Sequence, residues 1–503
     1  MSEKPNIVII MTDQQRADLS AREGYSLDTT PFLDSIARTG TDFNRAYTSS
    51  PVCAPARVSL FTGRYPSATR VRTNHNIQDA IYSKDLVDIL KELGYRVGIS
   101  GKNHSHIDDD RWDWSAHFGH DGGSGPGRTR EEIDFDNFLA GLQHRTYLEP
   151  TPFPVECQGP YRAVTKAQEW IASQRGDPFF LWLTFAEPHN PYQVPEPYYS
   201  MFPSDALPPC RANEDALKKK GFRWQWLRNT WDIAIPNYTA ERERARANYH
   251  GMLRLIDDQV KRFIDFLDVK KLRQNTIIVF LSDHGDFVGE YGLIRKGPDL
   301  PEYLTRIPLF FAGPGIAADH TPHEAHVSIC DVMPTLCEAL GVPIPEGVQG
   351  RSLWPILTRQ AYPDEEFSSA YAEHGYGGLA FTDKDDLDLT EEGALNPGCT
   401  FDCLNSWTQS GTMRMVRKGN WKLVFDMQGN GQLYDLEKDP VELNNLYGQP
   451  GAADIQQELQ ADLLTWILRV QDPLPLPRRR YVFKKHPRNY WRDSDHVEGQ
   501  AKA

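Results

Sequence analysis

The chain has 503 residues, enough to bury a large core, and its 40% hydrophobic and 25% charged residues are those of an ordinary globular protein. A formal net charge of -14 excludes general nucleic-acid binding, because a phosphate backbone is met by a surplus of Lys and Arg. An anionic ligand therefore needs a locally positive pocket.

Along the chain, apolar runs rich in Ile, Val and Phe at residues 7–11, 96–99, 179–185, 276–281 and 308–311 predict buried strands. The first run soon meets Asp13 and is too short for a signal segment or a membrane span, so the expectation is a cytoplasmic protein with no membrane partner. Helical patterns at 31–38, 86–93, 163–173 and 245–267 lie between the strands. Strands alternating with helices imply an α/β fold, a large mixed, mostly parallel sheet sandwiched by helices. In such sheets ligands gather beyond the carboxyl ends of the strands. Two strands run there into acid-bearing turns, Thr12-Asp13-Gln14 and Ser282-Asp283-His284-Gly285.

After about residue 365 the texture changes. A polar, Gly-rich stretch at 375–410 precedes MRMVRKGNWKLVFDMQGNGQLYDL, which predicts a small antiparallel sheet, and a helix follows at 453–470. The expected organisation is 1–365, 366–473 and a tail at 474–503. Basic and aromatic residues in that tail suit either a wrap around a second copy in a homo-oligomer or a solvated end. The seven cysteines, at 53, 157, 210, 330, 337, 399 and 403, show no paired spacing and predict no disulfide framework.

The most informative stretch is SPVCAPARVSLFTG at 50–63, in which Cys53, Pro55 and Arg57 form C-x-P-x-R. Gly101-Lys102-Asn103-His104, Glu187-Pro188-His189-Asn190-Pro191, and Lys296, thirteen residues after Asp283, follow in order. Together with the upstream TTPFLDSIARTGTDFNRAYTSSPVC, these motifs resemble those of the formylglycine-dependent sulfatases of the alkaline phosphatase superfamily.

The resemblance implies that a dedicated formylglycine-generating enzyme oxidises Cys53. It also implies that one divalent metal is held by Asp13, Gln14, Asp283, His284 and the residue derived from Cys53. The family often shows two adjacent acids and an Asp-Asn pair where this chain has Asp13-Gln14 and Asp283-His284. Oxygen donors suit a hard cation; the resemblance implies Ca2+ first, with Mn2+ or Mg2+ admitted by the nitrogen ligand. Arg57 and Lys102 would steady the nucleophile and the sulfate. His104 would take a proton to release sulfate, and His189 and Lys296 would protonate the leaving oxygen. Asn74, twenty-one residues after Cys53, with His75 and His106, are expected substrate contacts.

The expected activity is hydrolysis of a small sulfated substrate, a carbohydrate sulfate ahead of an aryl sulfate. A phosphonate monoester or phosphodiester hydrolase of the same superfamily is the near alternative, but hydroxyl side chains replace the Lys and His of positions 102 and 104 in that group. An inactive sulfatase-like binding protein is the alternative of another class. Loops at 108–154, 211–237 and 375–410 would choose the substrate. The second loop offers Arg223, Trp224, Trp226, Arg228 and Trp231 as a candidate aromatic surface, and His374 stands just before the third.

Overall fold

The five apolar runs form the middle of one sheet in the computed structural model, which describes residues 4–174, 176–297, 299–377 and 411–471. Most of the expected loop at 375–410 and the whole tail at 474–503 lie outside the described residues.

In chain order the described strands are β1 (Asn6–Asp13), β2 (Thr41–Asp42), β3 (Ala46–Tyr47), β4 (Arg96–Gly101) and β5 (Trp114–Gly119). Next come β6 (Gly122–Gly123), β7 (Phe179–Pro188), β8 (Thr276–Ser282), β9 (Leu309–Ala312) and β10 (Val327–Ser328). The last four are β11 (Ser369–Gly377), β12 (Gly411–Lys418), β13 (Trp421–Asp426) and β14 (Gly431–Asp435). The main sheet has eight strands in the order β2-β9-β8-β1-β7-β4-β5-β6. Pairing is parallel from β8 across to β5, whereas β9 and β6 run antiparallel to their neighbours.

Both faces of this sheet are covered, which is why its strands read as unbroken apolar runs rather than alternating ones. Ile7, Ile9, Met11, Val97, Ile99 and Trp182 point to one layer with Ala56, Leu60 and Phe61 of the helix Cys53–Thr62. Val8, Ile10, Leu181, Leu183, Ile278 and Phe280 point to the other, against Ile256, Val260 and Phe263 of the helix Tyr238–Val269 and Trp170 of the helix Gly159–Ala172. Each such side chain, fully buried, contributes about 1.5–3 kcal/mol, so the sheet centre is the stiffest support available to a site at its edge.

The C-terminal sheet, β11-β12-β13-β14, is antiparallel, as its sequence texture predicts. Tyr371, Val416, Leu423 and Leu433 join the same core as Ile7 and Val97, with Leu459, Leu463 and Trp466 of the helix Ala453–Gln471. Tyr371 stacks on Trp466 at 5.7 Å, and Tyr65 meets both rings edge-on at 5.3 and 5.9 Å. Lys422, fully buried, bridges Glu302 at 3.2 Å and Glu442 at 2.8 Å, tying β13 to the main body. No helix among the described residues is long and apolar enough to cross a membrane. The five described cysteines are free thiols; Cys399 and Cys403 lie outside the described residues.

Candidate active site

β1 and β8 lie side by side with Thr12 opposite Ser282, so the turns that follow them deliver Asp13 and Asp283 to one point. Cys53 reaches that point as the first residue of the helix Cys53–Thr62. Val52, in extended conformation before it, has no capping side chain; instead Asn74 Oδ1 accepts from the Ala54 N–H at 3.0 Å. The helix ends at Gly63, whose φ of 61° is left-handed and where a Cβ would lie 2.8 Å from Val348 Cγ1. Lys102 follows β4 through Gly101, where φ is +118° and a Cβ would clash with the Thr184 carbonyl oxygen at 1.5 Å. Only glycine lets the chain leave the sheet there towards Asp13.

The sulfur of Cys53 lies 3.2 Å from His284 Nε2, 3.5 Å from Asp13 Oδ1 and 3.6 Å from Lys296 Nζ. Arg57, one turn further along the helix, donates to Asp283 Oδ2 at 2.9 Å and Asp13 Oδ2 at 3.3 Å. Its other nitrogen donates to the Lys102 carbonyl at 2.7 Å and to Thr184 Oγ1 at 3.1 Å. Lys102 is ion-paired to Asp13 and meets His120 Nε2 at 2.7 Å. Lys296 meets His189 Nε2 at 3.4 Å. His120 stacks on His189 with ring centroids 3.9 Å apart.

The electrostatics are those of an anion trap around an acidic pole. Burial pushes the Asp13 carboxyl up, but Lys102, His189 and Arg57 together hold it well below the usual carboxylate range. Burial and the Asp13 charge raise Cys53, yet Lys102, Lys296 and His284 bring its thiol down to about 6. His104 is pressed down to about 3 by burial and by the Lys102 and Arg57 charges, so its imidazole is neutral across the neutral range. His189 and His120 are likewise held well below the ordinary imidazole value, first by burial and then by surrounding positive charge.

The acidic pole fits a hard cation. Asp13, Cys53, Asp283 and His284 offer ligand atoms within 4.8 Å of one another, all buried. Gln14 Oε1 is buried with no hydrogen-bond partner, an orphan acceptor that a cation would satisfy. His284 Nδ1 sits 2.9 Å from the Gly285 carbonyl, which accepts only, so Nδ1 carries a proton; against burial, the Asp283 and Cys53 charges raise the ring to about 9, and a cation at the pole would take the place of the second proton, on Nε2. Burial and the neighbouring Asp13 charge raise the Asp283 carboxyl, a like-charge stress that a divalent ion relieves.

Of the expected catalytic side chains, Cys53, Arg57, Lys102, His189 and Lys296 meet in this cluster, and His104 is buried within the influence of the Lys102 and Arg57 charges. Four of the five expected metal ligands share one point, and Gln14 joins them through its backbone N–H, 3.0 Å from Asp283 Oδ1. Asn74 stands beside Cys53, while His75 is exposed. His106 is corrected: its Nε2 pairs with the buried Asp85 at 2.9 Å and its ring packs on Tyr82, so it serves the N-terminus of the helix Leu86–Glu92. The expected aromatic surface is corrected as well. Trp224 and Trp231 are 1% and 0% exposed, Trp224 packing on Phe287 and Trp231 lying under Arg295, so they buttress the loop of Lys296 from behind. His374 is buried beside Arg223 and Arg414, its pKa pressed to about 3 chiefly by that burial. Two residues escape any motif: His120, from the tight turn between β5 and β6, and Asp286, which accepts from Gln14 Nε2 at 2.5 Å. A histidine or an acid flanking glycines was the only available signal.

A mostly parallel sheet carrying a buried thiol, an acidic pole and cationic side chains around them suits a hydrolase of anionic esters. The sulfatase family model matches residues 5–342, and the chain belongs to that family of sulfuric ester hydrolases. It is similar to an arylsulfatase of Clostridium perfringens, 27% identical over 88% of this chain and 90% of that one. A choline-sulfatase of Rhizobium meliloti is 28% identical over 91% of this chain and 85% of its own. The fold is shared with a phosphonate monoester hydrolase of Agrobacterium radiobacter, with a TM-score of 0.73 at 22% identity, covering 95% of this chain and 100% of that one.

Proposed function

We propose that this sulfatase hydrolyses a carbohydrate sulfate through a formylglycine made from Cys53 and one divalent cation, calcium first, with manganese or magnesium as alternatives. The observation that carries the reading is the convergence on Cys53 Sγ of His284 at 3.2 Å, Asp13 at 3.5 Å and Lys296 at 3.6 Å. A sulfate monoester repels nucleophiles, so most of the rate must come from fixed positive charge where the sulfuryl oxygens sit. A cation bound by Asp13, Gln14, Asp283 and His284 would polarise those oxygens. A hydrated formylglycine supplies two hydroxyls, one to attack sulfur and one to let sulfate go.

The remaining work falls to this chain's side chains. Arg57 braces both acids, and Lys102 places its charge beside Asp13. Lys296 keeps a proton within 3.4 Å of His189 Nε2, and this pair delivers it to the leaving alcohol oxygen. His104, neutral above about 3, accepts the proton whose loss frees sulfate. Support for a sugar over an aryl group comes from the histidine-rich surroundings. Asn74 stands beside Cys53 and His144 beside His120 and His189, while Trp224 and Trp231 are buried behind the Lys296 loop.

Two measurements test this. The peptide bearing Cys53, from a host able to oxidise it, should have lost its sulfur and two hydrogens and gained one oxygen. A panel of sulfated mono- and disaccharides, an aryl sulfate, choline sulfate and a phosphonate monoester should show the highest kcat/KM on a sugar sulfate. An unconverted cysteine in an active enzyme, or preferred phosphonate turnover, would overturn the proposal.

A further inference from the structure

A glutamine ligand differs from a carboxylate in having only one end that can hold a cation. Its amide turns through 180° unless a neighbour selects a face. Asp286 is that neighbour. Its Oδ2 accepts from Gln14 Nε2 at 2.5 Å and from the Tyr192 hydroxyl at 2.6 Å. Its Oδ1 accepts from the backbone N–H groups of Val288 at 2.7 Å and Arg295 at 2.9 Å. Four donors thus meet one fully buried carboxylate, which has no ion pair among the described residues. A group surrounded only by donors accepts only, so it selects the NH2 face of Gln14 and leaves Oε1 on the other side. There Oε1 is buried without a partner.

We infer that Asp286 is the positioning residue that turns the Gln14 carbonyl towards the cation held by Asp13, Asp283 and His284, and ties the Lys296 loop to the same pole. The inference rests on the proposal that this pole holds a divalent cation. The tie to the loop runs through Arg295, the residue before Lys296. Gln14 and Arg295 have φ of 73° and 66°, left-handed for non-glycine residues, and hydrogen bonds to one carboxylate restrain both turns.

The experiment reads metal affinity, not turnover. The full chain is stripped with a chelator, and calcium binding is measured by competition with a chromophoric chelator for the parent, Asp286→Asn, Gln14→Glu and the double variant. Asp286→Asn should weaken calcium ten- to hundredfold, because the introduced amide can draw the Gln14 oxygen away from the pole. A glutamate at position 14 has two equivalent oxygens, so the introduced amide can hold one while the other faces the cation. Gln14→Glu should therefore raise affinity at least tenfold more in the Asp286→Asn background than in the parent. Parent-like affinity of Asp286→Asn within twofold, or a cycle additive within twofold, overturns the inference while leaving the metal site standing. A parent that binds no calcium, manganese or magnesium overturns the functional reading and this inference with it. Should Asp286→Asn not fold, neutron diffraction of the deuterated parent decides: amide deuterons of Gln14 facing Asp286 support the assignment, and deuterons facing the pole refute it.

Discussion

Lys296 Nζ stands 3.6 Å from the Cys53 sulfur and 3.4 Å from His189 Nε2, so a single ammonium touches both the nucleophile position and the imidazole facing it. Replacing Lys296 with Ala should lower kcat roughly 10²- to 10⁴-fold for alkyl and sugar sulfates, the range of a lost general acid. Nitrophenyl sulfate, whose alcohol leaves without help, should lose far less. Equal losses on both substrates would show that Lys296 binds sulfate without moving a proton.

His104 is neutral above about 3, so its protonation should leave no mark on the rate between pH 5 and 8. Removing it should slow sulfate release more than alcohol release. Pre-steady-state assays of His104→Ala should therefore show a burst of alcohol followed by slow turnover. Linear alcohol release from the first turnover would contradict that role.

Arg57 is fully buried against Asp13 and Asp283. Without it two carboxylates share a dry pole with one cation fewer, so Arg57→Ala should cost about 3–5 kcal/mol of stability in the metal-free protein. Calcium should recover part of that loss. Denaturant melts with calcium and with a chelator separate the two contributions, and a calcium-independent loss would argue against a cation at this pole.

Asp85 tests the correction to His106. Burial raises its carboxyl, but hydrogen bonds from His106 and Arg111 win and bring the pKa to about 2. The folded pKa is thus depressed below the ordinary aspartate value of 3.8, so this group stabilises the fold above pH 3.8 and loses that effect as pH falls towards 2. The contribution at neutral pH is about 2 kcal/mol. Unfolding curves between pH 5 and 2 should show a shallower acid loss for Asp85→Asn than for the parent. His106→Ala should lose stability while keeping kcat/KM within twofold. A tenfold fall in kcat/KM would return His106 to the substrate site.

How much of this was legible in the sequence follows from the physics of each part. Strands such as Asn6–Asp13 are buried on both faces and must be continuously apolar, which no other element of that length imitates. Cys53, Arg57 and Lys102 are legible through resemblance, because C-x-P-x-R and G-K-x-H are short motifs that survive intact in the sequence. His120 is illegible because its place depends on β5 lying parallel to β4, a relation between distant segments. Asp286 is overshadowed by the neighbouring candidate ligands Asp283 and His284, and its contact with Gln14 appears only in the folded chain. Trp224 and Trp231 misled because a dense patch of Trp and Arg reads alike whether it faces a sugar or a loop's underside. His106, two residues beyond His104, turns instead to a helix cap.

The meeting of Tyr65, Tyr371 and Trp466 sets a schedule for the chain's birth. Synthesis proceeds from the N-terminus, so this part of the interior cannot close until the last of these three rings has left the ribosome. In the finished molecule Cys53 is 1% exposed and wound into a helix, out of reach of a second protein. If Cys53 is converted to an aldehyde by a second enzyme, the thiol has to be reached before the interior encloses it, and slowing the emergence of the final helix would be expected to lengthen the time in which that can happen.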